Sequence, residues 1–317
     1  MTDIVNDFLH PENFHQAWLK VRDKKGCAGT DEETIDDFGF NIDSNLTKLR
    51  ESVINNNYHP LPLKQALIPK NNGKLRELKI PTVRDRIVQQ ALLNVLVQIV
   101  EPTFSDCSFA YRPNKSIIKA VEKIAHWRDR GYCWILDADI VKYFDSIDRQ
   151  ILMARLREYI NHPGILYLIK AWISSDLLTN KGLEISLKGI PQGAVVSPLL
   201  ANIYLDRFDR TICSNDLQLV RYADDFLLRG KNRNRILLAY TEVVKLLHTL
   251  NLAIHTDKTQ ITNFERGFRF LGHGFIENNI FPLESPKEKS RLQNKGKKKV
   301  RTRKKDRQRK KNYYKRR

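Results

Sequence analysis

Cysteine is scarce in this chain, with four in 317 residues: Cys27, Cys107, Cys133 and Cys213. None lies within a few residues of another, which excludes zinc-site spacing and a small disulfide framework. All four are expected to be packing residues. Long apolar runs are missing too. The best, Ala91 to Val100, is short and broken by Asn94 and Gln98, far from the roughly 20 residues of a membrane span. The N-terminus lacks the charged-then-apolar layout of a secretion signal, and no repeat of solenoid length occurs. These absences leave a cytoplasmic globular protein with no membrane partner as the expectation. A composition of 41% apolar and 29% charged residues suits one large core or two modest ones.

What is present in excess is positive charge, and it is unevenly spread. From Ser285 onward there are 18 lysines and arginines against two acids, Glu288 and Asp306; that segment carries +16 of the total +19, leaving +3 for the body. A block of like charge with few apolar residues does not fold alone. It reads as an arm that grips phosphate backbones, with Tyr313 and Tyr314 as stacking surface; a solubilising tail is the plainer alternative.

Along the body, residues 12–24 and 43–56 read as helices. Leu63 to Pro69 and Leu75 to Pro81 are extended runs joined by Lys70-Asn71-Asn72-Gly73-Lys74, and Asn-Gly there signals a hairpin. It carries Lys64, Lys70, Lys74, Arg76 and Lys79, a basic clamp for triphosphate or template, or else a solvated edge protected by lysine. Helices are expected at 84–100, 116–130, 148–159, 164–174, 197–211 and 233–250. Strands are expected at 132–140, 217–221, 226–229, 252–256 and 268–274. Long helices interleaved with short hairpins predict an α+β fold, an antiparallel sheet backed by helices.

The acids carry the chemistry. In Tyr132-Cys133-Trp134-Ile135-Leu136-Asp137-Ala138-Asp139-Ile140, Asp137 and Asp139 are two apart and share a strand face. Asp224 and Asp225 sit at the tip of the apolar hairpin Val220 to Leu228. Buried carboxylates are costly without partners, so both clusters belong at a wet edge or against cations. Together they supply the hard oxygen ligands that suit Mg2+. Two such ions roughly 4 Å apart perform nucleotidyl transfer, where catalysis is mainly positioning and charge neutralisation.

These segments resemble the reverse transcriptases. Asp137-Ala138-Asp139-Ile140-Val141-Lys142-Tyr143-Phe144-Asp145 is similar to their first catalytic block, and Arg221-Tyr222-Ala223-Asp224-Asp225 to their Tyr-x-Asp-Asp box. Gly189 to Pro198 resembles the Pro-Gln-Gly loop. Lys258-Thr259 and Phe270-Leu271-Gly272-His273 follow in order, and Lys79-Ile80-Pro81, Arg84-Asp85-Arg86, Gln89-Gln90 and Phe109-Ala110-Tyr111-Arg112-Pro113 precede. The likeness spans about residues 10 to 280 and has the flavour of the bacterial group II intron lineage, which includes CRISPR-associated enzymes.

The resemblance implies polymerase fingers with N-terminal helices at 1–130, a palm at 131–284 and a basic tail at 285–317. It implies an RNA-directed DNA polymerase that takes an RNA template, a DNA or RNA primer and dNTPs. Its cofactor would be two Mg2+ ions, with Mn2+ as a substitute. Asp139, Asp224 and Asp225 would be catalytic and would bind metal, joined by the backbone carbonyl of Ile140; the spacing to Phe144 selects Asp139 over Asp137. Phe144 would exclude a ribose 2′-hydroxyl. Lys70 and Arg76 would hold the triphosphate, Gln192 would line the nucleotide pocket and Lys258 would lie near the primer strand. Asp145, Asp148 and Arg112 are expected in structural ion pairs. No three-helix thumb fits in residues 287–317, so either the basic tail substitutes for it, or a protein partner supplies thumb or integrase function, or the chain is a truncated relic; phage defence or CRISPR spacer acquisition is the setting this architecture suggests. The alternatives are an RNA-dependent RNA polymerase, which Phe144 and Ala223 disfavour, and a nucleic-acid-binding remnant with weak or no catalysis.

Overall fold

Apolar residues at helical spacing build the first hundred residues. After the short α1 (Ile4–Leu9), α2 (Pro11–Asp23) buries Phe14, Ala17, Trp18 and Val21, the i, i+3, i+4, i+7 stripe of an amphipathic helix, and opens with proline at its first turn. A capping box between Thr34 and Asp37 starts α3 (Ile35–Gly39). The next helix, α4 (Ile42–Ile54), faces inward through Leu46, Leu49 and Val53. The basic hairpin follows as β1 (Leu63–Pro69) and β2 (Leu75–Ile80), antiparallel with Lys64 opposite Ile80 and Ile68 opposite Arg76. The computed structural model describes residues 4–69, 73 and 75–283, so Lys70, Lys74 and the basic tail lie outside the described residues.

Buried on almost every side, α5 (Val83–Val100) forms the centre of this half. Its buried polar groups are satisfied, as burial demands. Asp85 accepts from the Tyr58 hydroxyl at 2.5 Å and Thr82 Oγ1 at 2.8 Å. Gln89 Oε1 accepts from Val195 N at 2.9 Å.

The elements that follow include a second sheet. α6 (Ile117–Arg128) leads through Gly131 into β3 (Trp134–Asp139). Then come α7 (Tyr143–Ser146), α8 (Arg149–Leu156), α9 (Pro163–Ile173), and the short β4 (Leu177–Thr179) and β5 (Gly182–Glu184). A long helix, α10 (Ser197–Ile212), precedes the hairpin β6 (Leu217–Tyr222) and β7 (Asp225–Gly230); α11 (Arg233–Thr249) and β8 (Gln260–Asn263) complete it. The sheet order is β6-β7-β3-β8, with β7 antiparallel to both β6 and β3. Helix α11 packs on β3 and β7, and α6 and α10 pack on β6. The α+β expectation holds.

Two expectations change, and one pair of strands was not expected at all. Leu252 to Thr256 is not a strand: it makes one bridge, Ile140 to Ile254, then turns through a 3-10 segment, Thr256–Lys258. The run 268–274 is two strands, β9 (Phe268–Phe270) and β10 (His273–Ile276), reversed at Leu271 and Gly272, whose φ values are 48° and 73°. With β11 (Asn279–Pro282) they form an antiparallel sheet inside a separate unit that begins at Asn263. Finally, β4 and β5 carried too few residues to show an alternation. They extend the basic hairpin's sheet to β2-β1-β4-β5, with β1 parallel to β4.

No helix among the described residues is long and apolar enough to cross a membrane.

Candidate active site

Register alone brings two of the acids together. Asp139 is the last residue of β3 and pairs directly with Asp225, the first residue of β7, so their Cα atoms lie about 5 Å apart. Asp224 belongs to the two-residue turn between β6 and β7, because Tyr222 pairs with Asp225. That turn requires Ala223 to take φ = 60°, a left-handed value that usually calls for glycine. Asp137 faces the same side two pairs further in, opposite Leu227, and accepts from Gln260 Nε2 at 3.0 Å. The structure therefore separates the two: Asp139 meets the hairpin tip and Asp137 does not.

A buried arginine holds the tip in shape. Arg221, 1% exposed, donates to both carboxylate oxygens of Asp209 at 2.5 and 2.7 Å, to Asn202 Oδ1, to Ser108 Oγ, and to the Ala223 carbonyl at 3.0 Å. Burial opposes its charge, but the paired Asp209 more than offsets this and holds the guanidinium above its usual range. The arginine in the Arg-Tyr-Ala-Asp-Asp segment is thus the strut beneath the turn, a role the sequence did not assign.

The three acids repel one another. Partial burial, then the charges of Asp224 and Asp139, push Asp225 up to about 7. Burial chiefly raises Asp224, with Asp139 adding to it. Burial raises Asp137 as well. The Lys258 ammonium answers them directly: it hydrogen-bonds Asp139 Oδ2, and that bond first of all raises its own pKa. Lys258 therefore sits on the acid cluster itself. Arg76 also bears on it, since its charge acts on Asp224 and on the half-buried Tyr111 phenol. Tyr111, at φ = 61° and 54% exposed, is a neighbour that sequence order alone gave no reason to place here.

Backbone geometry adds an oxygen. Ile140 N donates to Asp224 O at 3.3 Å, while Val141 N and His255 N bond across to Ala253 O and Asp139 O. The Ile140 carbonyl lies on the same side of the strand as its N–H and receives no hydrogen bond among the described residues. Three carboxylates and a free carbonyl are the hard donors that Mg2+ takes. They are not yet gathered: among the described residues, no group of three or more His, Cys, Asp or Glu side chains has closed on a cation position. Asp139 holds Lys258 instead.

The Pro-Gln-Gly loop is wedged beside this cluster. Gly189 (φ = 74°) lies so close to Phe144 and Asp145 that a Cβ there would come within 2.7 Å of their backbone, and Ile190 N bonds Phe144 O at 2.8 Å. Gly193 (φ = 120°) meets Lys79 O in the same way, and Lys79 N bonds Gln192 O at 2.7 Å. The loop therefore ties Phe144 to β2 and sets the half-buried Gln192 between them. Phe144, also half-buried, packs edge-on against Tyr143. Of the three expected ion pairs, Arg112 does bind Glu101 at 2.9 Å and Asp145 reaches Lys79 at 4.0 Å. Asp148 instead caps α8 through the N–H groups of Gln150 and Ile151; its side chain satisfies orphan helix donors rather than a cation.

The chain is similar to known proteins. A family model described as reverse transcriptase (RNA-dependent DNA polymerase) matches residues 68–275. Protein YkfC of Escherichia coli K12 is 33% identical over 270 residues, covering 73% of this chain and 71% of YkfC. The group II intron-encoded protein LtrA of Lactococcus lactis is 29% identical over 280 residues, 81% of this chain and 46% of LtrA. Among solved structures, the apo telomerase of Candida tropicalis truncated from its C-terminal domain superposes with a TM-score of 0.56 at 14% identity. That match covers 76% of this chain and 60% of the telomerase, and it speaks to fold alone. The chain spans under half the length of LtrA and most of YkfC.

Proposed function

From the premise that the chain belongs to the reverse transcriptase (RNA-dependent DNA polymerase) family, we propose that it extends a primer 3′ end with dNTPs on an RNA template. Asp139, Asp224 and Asp225 hold two Mg2+ ions in this reading. The observation that carries it is the direct pairing of Asp139 with Asp225, beside a turn that presents Asp224. Carboxylates whose partial burial, together with their mutual repulsion, lifts Asp225 to about 7 have a standing need for divalent charge. When bound, the ions activate the 3′-hydroxyl and neutralise the departing pyrophosphate.

The chain's own residues do the positioning. Asp139 and Asp225 approach from opposed strands and Asp224 from the turn, with the Ile140 carbonyl completing the donor set. Arg221 keeps the turn in its left-handed form through the Ala223 carbonyl. Arg76 offers its charge to the triphosphate, and Lys70, outside the described residues, is assigned the same task. Phe144, fixed from behind by Ile190 and Gly189, excludes the 2′-hydroxyl of a ribonucleotide, and Gln192 lines the pocket on the other side of the loop. Lys258 neutralises Asp139 in the metal-free protein; ions held at the carboxylates would take over that task and leave its ammonium to the primer strand.

Primer extension on an RNA template with Mg2+ or Mn2+ tests this. Incorporation of dNTPs well above rNTPs is expected. A preference for rNTPs would instead assign an RNA polymerase, and nucleic-acid binding with no extension would assign a catalytically dead remnant.

A further inference from the structure

The sheet that carries the acids has a second end, and its chemistry is the reverse. Tyr132 lies seven residues before Asp139 and Lys231 six residues after Asp225. At about 3.3 Å per residue, that end stands roughly 20 Å from the carboxylates. Around it, Lys123 Nζ lies 5.4 Å from the Trp127 ring centre, the Arg130 guanidinium 6.0 Å from the same ring, and Lys231 Nζ 5.3 Å from the Tyr132 ring. The rings pack edge-on at 5.1 Å, and His126 packs on Trp127 at 5.1 Å while accepting contact from Arg130 at 2.9 Å. The cations are therefore held on aromatic faces, a fixed array in place of loose surface lysines.

Beneath them is Arg229, fully buried. Its guanidinium reaches only the carbonyls of Ile124 at 2.6 Å and Lys123 at 3.3 Å. No carboxylate pairs with it among the described residues, and its Nε, like Trp127 Nε1, is buried without a partner. The acids on these segments do not restore balance. Asp129 is taken by Arg128 at 2.9 Å, which leaves Glu122 against Lys123, Arg130, Lys231 and Arg229. A site that keeps positive charge uncompensated, close to a desolvated guanidinium, is matched to a polyanion arriving from outside.

We infer that this end of the sheet is an RNA-docking surface, where Lys123, Arg130 and Lys231 grip the phosphate backbone of template RNA outside the stretch being copied. The occupant rests on the proposed polymerase reading, because RNA is the polyanion that such an enzyme holds in every cycle. The distance places the contact beyond the reach of the paired nucleotide at the carboxylates. Phosphate contacts of this kind position a strand without reading its bases.

The test uses the full chain and an unstructured single-stranded RNA, measuring affinity across a salt series. Three proteins are compared: the parent, a variant carrying Lys123→Glu, Arg130→Glu and Lys231→Glu, and a charge-matched control carrying Lys24→Glu, Lys48→Glu and Lys245→Glu at exposed sites. Losing three single-strand phosphate contacts makes the log–log salt slope shallower by about 2; the control should shift it by less than half as much. Ultraviolet cross-linking of the parent should attach RNA to the peptide containing Trp127. Circular dichroism should show all three proteins folded at the assay temperature, since none of the substituted side chains is buried. Equal slopes in the two variants, or no cross-link at that peptide, would overturn the inference. Primer extension on a template ending at the copied stretch is run in parallel and should be unchanged. If even the parent fails to extend, the polymerase reading falls while the binding contrast still decides this one.

Discussion

The two ends of the central sheet differ in how they treat a buried arginine. Near the carboxylates, Arg221 is matched by Asp209 and held at five points. At the far end, Arg229, one strand over, has only two helix carbonyls. Burial lowers its pKa to about 9, while Arg221 is raised by its partner. Charge is therefore neutralised by a carboxylate beneath the turn and left without one at the far end, among the described residues. The same contrast runs through the surfaces above them: acids in excess at one end, cations in excess at the other.

The largest effect should come from the acidic end. Asp225→Asn or Asp224→Asn is expected to cut primer extension about 1000-fold, since several kcal/mol of charge stabilisation depends on the ions. RNA binding by the rest of the chain should persist, and the metal-free protein should melt later, because one repelling charge is gone. An Asp225→Asn protein that still extended primers at the parental rate would contradict the assignment.

The arginine contrast comes next. Asp209→Asn strands a buried guanidinium and should destabilise by about 3–5 kcal/mol, whereas removing both partners with Arg221→Met and Asp209→Leu should recover much of that loss. Arg229→Met should be neutral or stabilising in denaturant melts, since it removes a desolvated charge that no carboxylate answers. Equal losses at the two positions would erase the comparison.

How much of this was legible beforehand follows from periodicity. Helices such as α2, α5 and α10 announce themselves through repeated apolar positions, and the two acid clusters through their place at strand ends. The pairing of Asp139 with Asp225 is a matter of register between segments 86 residues apart, which local pattern does not encode, though the family likeness did. Short strands such as β4 and β5 lack the length to show alternation, and Leu252 to Thr256 has strand-like composition but spends its hydrogen bonds on the end of β3. Asp148 reads as a charge in sequence and acts as a cap in structure. The roles of Arg221 and Arg229 were invisible because both are ordinary basic residues on apolar strands; only burial and the partner's identity tell them apart.

Smaller effects refine the acidic end. Asp225 has a folded pKa of about 7 against an ordinary 3.8, so the folded state holds its proton more tightly than the unfolded chain does. Its contribution is therefore most favourable below about 4 and is lost as pH rises toward 7. In chelator, the melting temperature of the parent relative to Asp225→Asn should fall from pH 5 to pH 8, and Mg2+ should reverse most of that fall. A difference that is flat with pH would remove the like-charge crowding from the account. Smallest of all, Ala223→Gly should relieve the left-handed strain at the turn by about 1 kcal/mol, read as a later melt.

The central claim is that three carboxylates from two strands and one turn share two divalent ions. Counting Mn2+ ions bound in the presence of template–primer and a non-reactive dNTP analogue, by electron paramagnetic resonance titration, tests it most directly. Two tightly held ions for the parent and at most one for Asp225→Asn are expected. The same number of ions in both proteins would contradict it.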